Sequence, residues 1–409
     1  MRLLPQVLVG PGYSLFFWMV VFLVAMQYRR MAVMERAIYG RVRHPVARQT
    51  LASMVQGVVG GLLGSFLMIL VGVTLSNSGV MYLWPLALLL MAINPRLICF
   101  SYAGGIVSLS FLLLGFPRVS VPGIICLVAI LHLVESFLIW WSGASTPTAL
   151  FLRNHRGQVV GGFALQKFWP VPIAVLWLVT AADVIPSGGV AMPGWWPLIK
   201  PVPGPAGPSI FYSLFPVVAA LGYGEVALAR PPAERSRRSA VMLGLYSVVL
   251  LVLAVVSSRV PLVQWLAALF SALGHELVAV AGSRGEMRGV PLYLPPPRGV
   301  MILDVMPGSP AERMGLGSGD IILQVNGTDV NSREELREVL DRSGFYLEIK
   351  ALQDGQLRVM EASGSYGQLG SLGVLLVPET GDGIHVELGK KNLLRSAWRW
   401  WTNRRKPRL

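Results

Sequence analysis

Charge is scarce in this chain. Only 14% of its residues are Asp, Glu, Lys or Arg, against roughly 25% in an ordinary soluble protein. What charge there is clusters in short loops and in the last third, a distribution that excludes most soluble enzymes and fits a polytopic membrane protein. Acidic residues are the scarcer sign, 21 against 35 basic ones, which leaves a net charge of +14. The basic excess flanks apolar segments and fills the final twenty residues, so anionic lipid is the expected partner and nucleic acid is not. Cysteine is limited to Cys99 and Cys126, both inside apolar runs, which supports neither a disulfide framework nor a Cys-based metal site. The first apolar run, Tyr13 to Met26, ends in Tyr28-Arg29-Arg30 without a small-residue cleavage site, so it reads as a retained span.

Long hydrophobic runs are plentiful. A helix needs about 20 mostly apolar residues to cross the hydrocarbon core, and nine candidates follow: 12–28, 51–75, 79–93, 97–116, 119–141, 168–185, 209–229, 240–257 and 260–281. The third is short and ends at Asn94-Pro95-Arg96, which marks it as re-entrant or tightly paired with the fourth. Loops alternate between rich and poor in Lys and Arg. The 29–49, 142–167 and 230–239 loops are basic, whereas Ser76-Asn77-Ser78 carries no charge and Val184–Pro208 offers only Lys200. Positive loops stay cytoplasmic, so the N-terminus is expected outside and everything after about Gly282 inside. The expected organisation is a helical membrane bundle over 1–282, a small α/β domain over 285–380 and a basic tail over 381–409.

From Arg298 the pattern changes to short strands and turns. Arg298–Val305 alternates like a half-buried strand. Ser309 then stands as an N-cap before Pro310 at the first helical position, and Ile321–Val325 reads as a strand closed by an Asn326-Gly327 hairpin turn. Ser332 and Glu335 have capping-box spacing at the head of a second helix that runs to about Arg342. Strands near 345–352 and 356–362 are joined by Asp354-Gly355. This succession of Gly-Ser-Pro-Ala helix, Gly-Asp-Ile-Ile strand, Val-Asn-Gly turn and Leu-rich helix resembles a bacterial PDZ domain over roughly 290–380. The resemblance implies peptide binding by strand addition beside the second helix, under a Gly-containing loop that receives a C-terminal carboxylate. Ser371, Leu372, Gly373, Val374 and Leu375 look like that loop and strand displaced to the end of a circularly permuted domain; alternatively, 290–294 carries the groove. Arg333, Arg337 and Leu340 fall at groove-facing spacing on the second helix, and two guanidiniums there favour an acidic peptide.

Ionisable residues inside spans are functional candidates by default: His132, Glu135, Asp183, Glu225, His275 and Glu276. An intramembrane metalloprotease needs His-Glu-x-x-His on one helix face, but Gly274-His275-Glu276-Leu277-Val278-Ala279 has alanine at the second histidine. No protease triad region precedes the PDZ-like segment and no phosphate loop is present, so the chain reads as a non-enzyme without a cofactor. The tail interleaves Lys390, Lys391, Arg395, Arg399, Arg404 and Arg405 with Trp398, Trp400 and Trp401, a composition that binds anionic inner-leaflet lipid.

The combination of Asn94-Pro95-Arg96, the Arg156-Gly157-Gln158-Val159-Val160-Gly161-Gly162 loop, Gly274-His275-Glu276-Leu277 at the last span and one PDZ domain resembles the MinJ family of bacterial division-site determinants. That resemblance implies a septal and polar scaffold in the cell membrane, linking a DivIVA-like coiled-coil protein to a MinD-like ATPase. The competing expectation is a membrane-embedded sensor or transporter regulated through its PDZ domain.

Overall fold

The computed structural model describes residues 13–76, 78–153, 157–180, 190–199, 210–363 and 372–379. Its first part is built from seven apolar helices: α1 (Tyr13–Tyr39), α2 (Val46–Val71), α3 (Val80–Ile93), α4 (Phe100–Leu114), α5 (Val121–Ser142), α6 (Pro232–Ser257) and α7 (Pro261–Arg288). Among the described residues five of these, α1, α2, α5, α6 and α7, are long and apolar enough to cross a membrane. The expectation of nine spans is corrected in two ways.

First, the expected spans at 168–185 and 209–229 are not helices. Three antiparallel strands, β1 (Thr148–Arg153), β2 (Val159–Thr180) and β3 (Ile210–Ala227), form a sheet in the order β1-β2-β3. β2 and β3 pair continuously from Phe163↔Ala227 to Thr180↔Ile210. The physical reason lies in Pro170 and Pro172. Each would remove a ladder hydrogen bond from a helix interior, whereas a sheet edge tolerates proline because no N–H is needed there. Beyond β1, the outer edge of β2 faces α1 and α2. Its polar groups are met one by one. Phe168 N donates to Tyr28 Oη (3.2 Å), Ala174 N to Ser65 Oγ (2.8 Å) and Leu178 N to Ser76 Oγ (2.9 Å), while Leu75 N donates to Leu176 O (2.8 Å). Pro170 and Pro172 fall at the same parity and have no N–H to satisfy. Such partners make an edge of this kind compatible with apolar surroundings.

A first prediction follows from this edge. Ser65→Ala removes the acceptor of Ala174 N–H at a fully packed site, which should lower stability by about 1–3 kcal/mol. Thermal unfolding of the detergent-solubilised protein measures it. An unchanged midpoint would mean that this N–H finds another acceptor.

Second, α3 and α4 are short, and 14 or 15 residues reach only about 22 Å. They pack on each other as a helical hairpin joined by the turn at Asn94–Cys99. Gly79, before α3, packs on Val119 and Ile124, whereas Gly104 in α4 packs on Ile124 and Val128. The turn at Asn94–Cys99 reaches His132, about halfway along α5. Asn94 accepts the Arg96 N–H and holds a single 3-10 turn at the tip.

Small residues allow this close packing. On α2 the buried face includes Ser53, Gly57, Gly60, Gly61, Gly64 and Ser65, while Leu51, Val55, Leu62 and Phe66 point outward. α5 is the central helix, with most of its length buried.

The second part begins after α7, which continues to Arg288, past the expected boundary at 282. It contains β4 (Val300–Val305), α8 (Pro310–Arg313), β5 (Ile321–Val325), β6 (Thr328–Asp329), α9 (Arg333–Arg342), β7 (Tyr346–Gln353), β8 (Gln356–Ser363) and β9 (Val374–Leu376). The sheet order is β8-β7-β5-β4-β9, with β6 paired to β5. Local chemistry places these elements as expected. Ser309 Oγ caps α8 by accepting Glu312 N–H, and Ser332 Oγ caps α9 by accepting Glu335 N–H. Asn326 (φ 49°) and Gly327 (φ 77°) both adopt the left-handed conformation that a type I′ turn requires. Ile302, Leu316, Ile322, Leu336, Leu347 and Ile349 make a core of their own.

Candidate functional site

Two regions combine the expected site residues: the edge of the small domain and a polar cluster between the apolar helices.

At the domain edge, β9 pairs antiparallel with β4 and is the terminal strand on that side of the sheet. Its lead-in is tightly held. Met306 N donates to Gly373 O (2.8 Å) and Ala311 N to Leu372 O (3.1 Å), and the Leu372 side chain is buried. Gly373 has φ 78°, and a Cβ there would stand 2.3 Å from Ser309 Cβ, so both backbone conformation and space demand glycine. Val374 and Leu375 are half-buried, while Ser371 lies outside the described residues. Arg333 and Arg337 are exposed on α9, and Arg333 N donates to Glu379 Oε1 (2.7 Å) just beyond β9. Leu340, expected at the groove, is instead buried in the domain core beside Leu336. On a helix, positions three and four apart share a face, and α9 turns Leu336 and Leu340 inward as one pair. The alternative groove segment, 290–294, does not lie free. Tyr293 forms an isolated bridge with Gly161 at the base of β2, and its ring packs edge-on against Phe163 (5.4 Å). Burial pushes the Tyr293 phenol above its ordinary pKa. On the opposite side, hydrogen bonding from Gln324 and the Arg298 guanidinium holds Asp329 below the usual carboxylate range.

The domain is docked on the helical part through charge. Asp304 on β4 is buried, accepts a hydrogen bond from Tyr39 Oη (2.6 Å) and pairs with Arg43. Arg41 adds a bond to Pro307 O (3.0 Å). These arginines come from the basic loop that the sequence marks as cytoplasmic.

Within the helices, the structure places Cys99, His132 and His275 together. Sequence reasoning sought a second ligand four residues from His275 and found alanine, but the partners come from two other elements. Cys99, inside an apolar run, belongs to the pair of cysteines for which the sequence supports no Cys-based metal site. Glu276 accepts from Tyr102 Oη (2.5 Å) and pairs with Arg96 at the hairpin tip (3.0 Å). Glu135 lies one turn beyond His132 on α5 and is not among the three clustered groups. Glu225, expected inside a span, sits on β3 and pairs with the buried Arg235 (2.9 Å). Asp183 and all the tail residues, from Lys390 to Arg405 with Trp398, Trp400 and Trp401, lie outside the described residues.

Comparison with known proteins agrees with the second part of the fold. A family profile described as a PDZ domain matches residues 301–350. The chain is 22% identical over 261 residues to the "Cell division topological determinant MinJ" of Bacillus subtilis (strain 168), covering 63% of this chain and 62% of that one. It is 33% identical over 133 residues to the "Probable cell division topological determinant MinJ" of Lacticaseibacillus paracasei, covering 32% and 36%. A shorter stretch, 60 residues or 15% of either chain, is 33% identical to the "Putative serine protease HhoA" of Synechocystis. The alignments thus span between about a third and three fifths of the MinJ relatives' own length. In sequence this chain is MinJ-like over much of its length, and it carries a PDZ domain.

Proposed function

We propose that this chain is a non-enzymatic membrane adaptor that recruits protein partners through its PDZ domain during division-site selection. The observation that carries the reading is the edge position of β9, entered through Gly373 and lying on the side of the sheet where strand addition can occur. In this reading the PDZ domain is circularly permuted. Its carboxylate loop is 371–374, its groove lies between β9 and α9, and Arg333 and Arg337 favour acidic peptides. The printed description of its relatives as cell-division topological determinants supports the cellular role. By resemblance the partners are a DivIVA-like and a MinD-like protein.

The proposed topology has the N-terminus outside and the PDZ domain in the cytoplasm, with the basic tail on anionic lipid. The five membrane-length helices among the described residues, like nine, are an odd number, and in this reading the α3–α4 and β2–β3 hairpins each return to the side they leave. The basic loops that contact the PDZ domain support the same orientation. A fluorescent fusion should form foci at septa and poles; uniform envelope fluorescence would remove the division reading.

Peptide binding tests the groove. Gly373→Ala forces a non-glycine residue into the left-handed region, at about 1–2 kcal/mol, and drives its Cβ into Ser309. Binding of C-terminal peptides to the detergent-solubilised full chain should weaken at least about tenfold. Unaltered affinity would place the groove elsewhere.

A further inference from the structure

The hairpin tip at Cys99 and the middles of α5 and α7 meet at one point. Cys99 Sγ lies 3.0 Å from His132 Nε2 and 3.5 Å from His275 Nε2, and the three donor atoms all fall within 4.8 Å of one another. A tetrahedral zinc ion with Zn–S about 2.3 Å and Zn–N about 2.0–2.1 Å would separate sulfur from nitrogen by roughly 3.6 Å. One thiolate with two imidazoles is a donor set for zinc, whereas calcium and magnesium require oxygens.

The surroundings orient the ligands. His132 Nδ1 lies 2.8 Å from Val128 O. A carbonyl only accepts, so Nδ1 carries the proton and Nε2 turns its lone pair toward Cys99, as outer-shell hydrogen bonds do for zinc-bound histidine. Ser101 N–H points at Cys99 Sγ (3.4 Å). The aromatic rings of Tyr102 and Tyr246 flank His275 at 5.2 and 5.8 Å. Ser101 Oγ stands 3.2 Å from His132 Nε2.

A hydrogen-bonded thiol–imidazole cluster is the competing explanation. One thiol proton can serve His132 Nε2, and His275 Nε2–H can then point at sulfur. His275 Nδ1 is buried with no hydrogen-bond partner among the described residues in either arrangement, so the two differ in whether the three donors share a metal ion or a thiol proton.

We propose that Cys99, His132 and His275 bind a zinc ion that clamps the α3–α4 hairpin tip to α5 and α7. The site is independent of the adaptor reading and of the PDZ groove. Its ligands come from three elements that no local motif links, and α7 continues from the clamp directly to the PDZ domain.

The test uses the full chain purified in detergent micelles. Mass-spectrometric metal analysis after zinc loading and gel filtration should find equimolar zinc. Cobalt substitution should give a sulfur-to-cobalt charge-transfer absorption. Cys99→Ser, a near-isosteric change that should leave the fold intact, is expected to abolish that absorption. It should also weaken zinc binding by more than the roughly 10- to 100-fold typical of losing an outer-shell partner. His275→Gln should do the same, with monodispersity on gel filtration showing that each variant remains folded. Zinc-free wild-type protein after loading would overturn the proposal, as would full zinc retention by Cys99→Ser. Copper bound where zinc is not would overturn the choice of metal.

Discussion

Replacing Gly61 by valine should abolish the folded membrane part, a larger effect than any other single substitution considered for the helices. An added Cβ at Gly61 would stand 2.0 Å from Pro172 O, and one at Gly57 would stand 2.1 Å from Pro170 O. Both atoms belong to backbone, so no rotamer change relieves the overlap. Either α2 or β2 must move, and β2 is held along its edge by Tyr28, Ser65 and Ser76. A Cβ added at Gly60 or Gly64 would stand 3.0–3.2 Å from Leu138 or Val134 of α5, so α2 has little room to retreat. Overpacking in a dense interior costs about 1–3 kcal/mol and sometimes more; here the expected loss is at the upper end or beyond. Monodisperse yield on gel filtration and thermal unfolding in detergent measure it. Leu62→Ala, on the outward face of the same helix, should stay within about 0.5 kcal/mol of wild type. Normal folding of Gly61→Val would show that α2 and β2 do not pack as described.

The second large effect is expected at Asp304. Its carboxylate is buried between the PDZ domain and the helical part, paired with Arg43 and bonded to Tyr39. Arg43 also lies over the Tyr39 ring (5.9 Å). Removing one partner of a buried pair strands the other, at about 3–5 kcal/mol. Asp304→Ala should therefore loosen the PDZ domain, read as faster proteolysis between Gly289 and Gly299. Asp304→Ala combined with Arg43→Ala should cost less than the sum of the two single changes, because the double variant leaves no stranded charge. Unchanged proteolysis in Asp304→Ala would mean that docking rests on the apolar contacts of Tyr293, Leu303 and Val377.

Where the chemistry is local, the sequence is readable. Ser309 and Ser332 cap helices, and Asn326-Gly327 and Asp354-Gly355 turn strands, through groups only a few residues apart. The PDZ elements therefore emerge within one or two residues of their observed bounds. Leu340 shows the limit of such reading: its spacing on α9 fits a groove, yet burial beside Leu336 depends on what packs below the helix.

The β2–β3 hairpin was the larger miss. Its strands are as long and apolar as spans, and hydropathy alone does not separate the two conformations. Pro170 and Pro172, two residues apart, were the available sign, since alternation at that period suits a sheet edge and not a helix. What makes the strand tolerable is non-local: hydroxyls from α1, α2 and Ser76 meet its N–H groups, and glycines on α2 make room for it.

Composition and charge patterning by themselves pointed to a basic polytopic membrane chain, and the order of local motifs pointed to a PDZ-like domain, because those signals sum over many residues or sit within one turn. Only tertiary structure decided that two apolar runs are strands, that α3 and α4 pair as a short hairpin, and that Cys99, His132 and His275 share a point. The two imidazoles reach that thiol from 33 and 176 residues away. Neither spacing has a helical or strand period, so their meeting follows from how the hairpin, α5 and α7 pack.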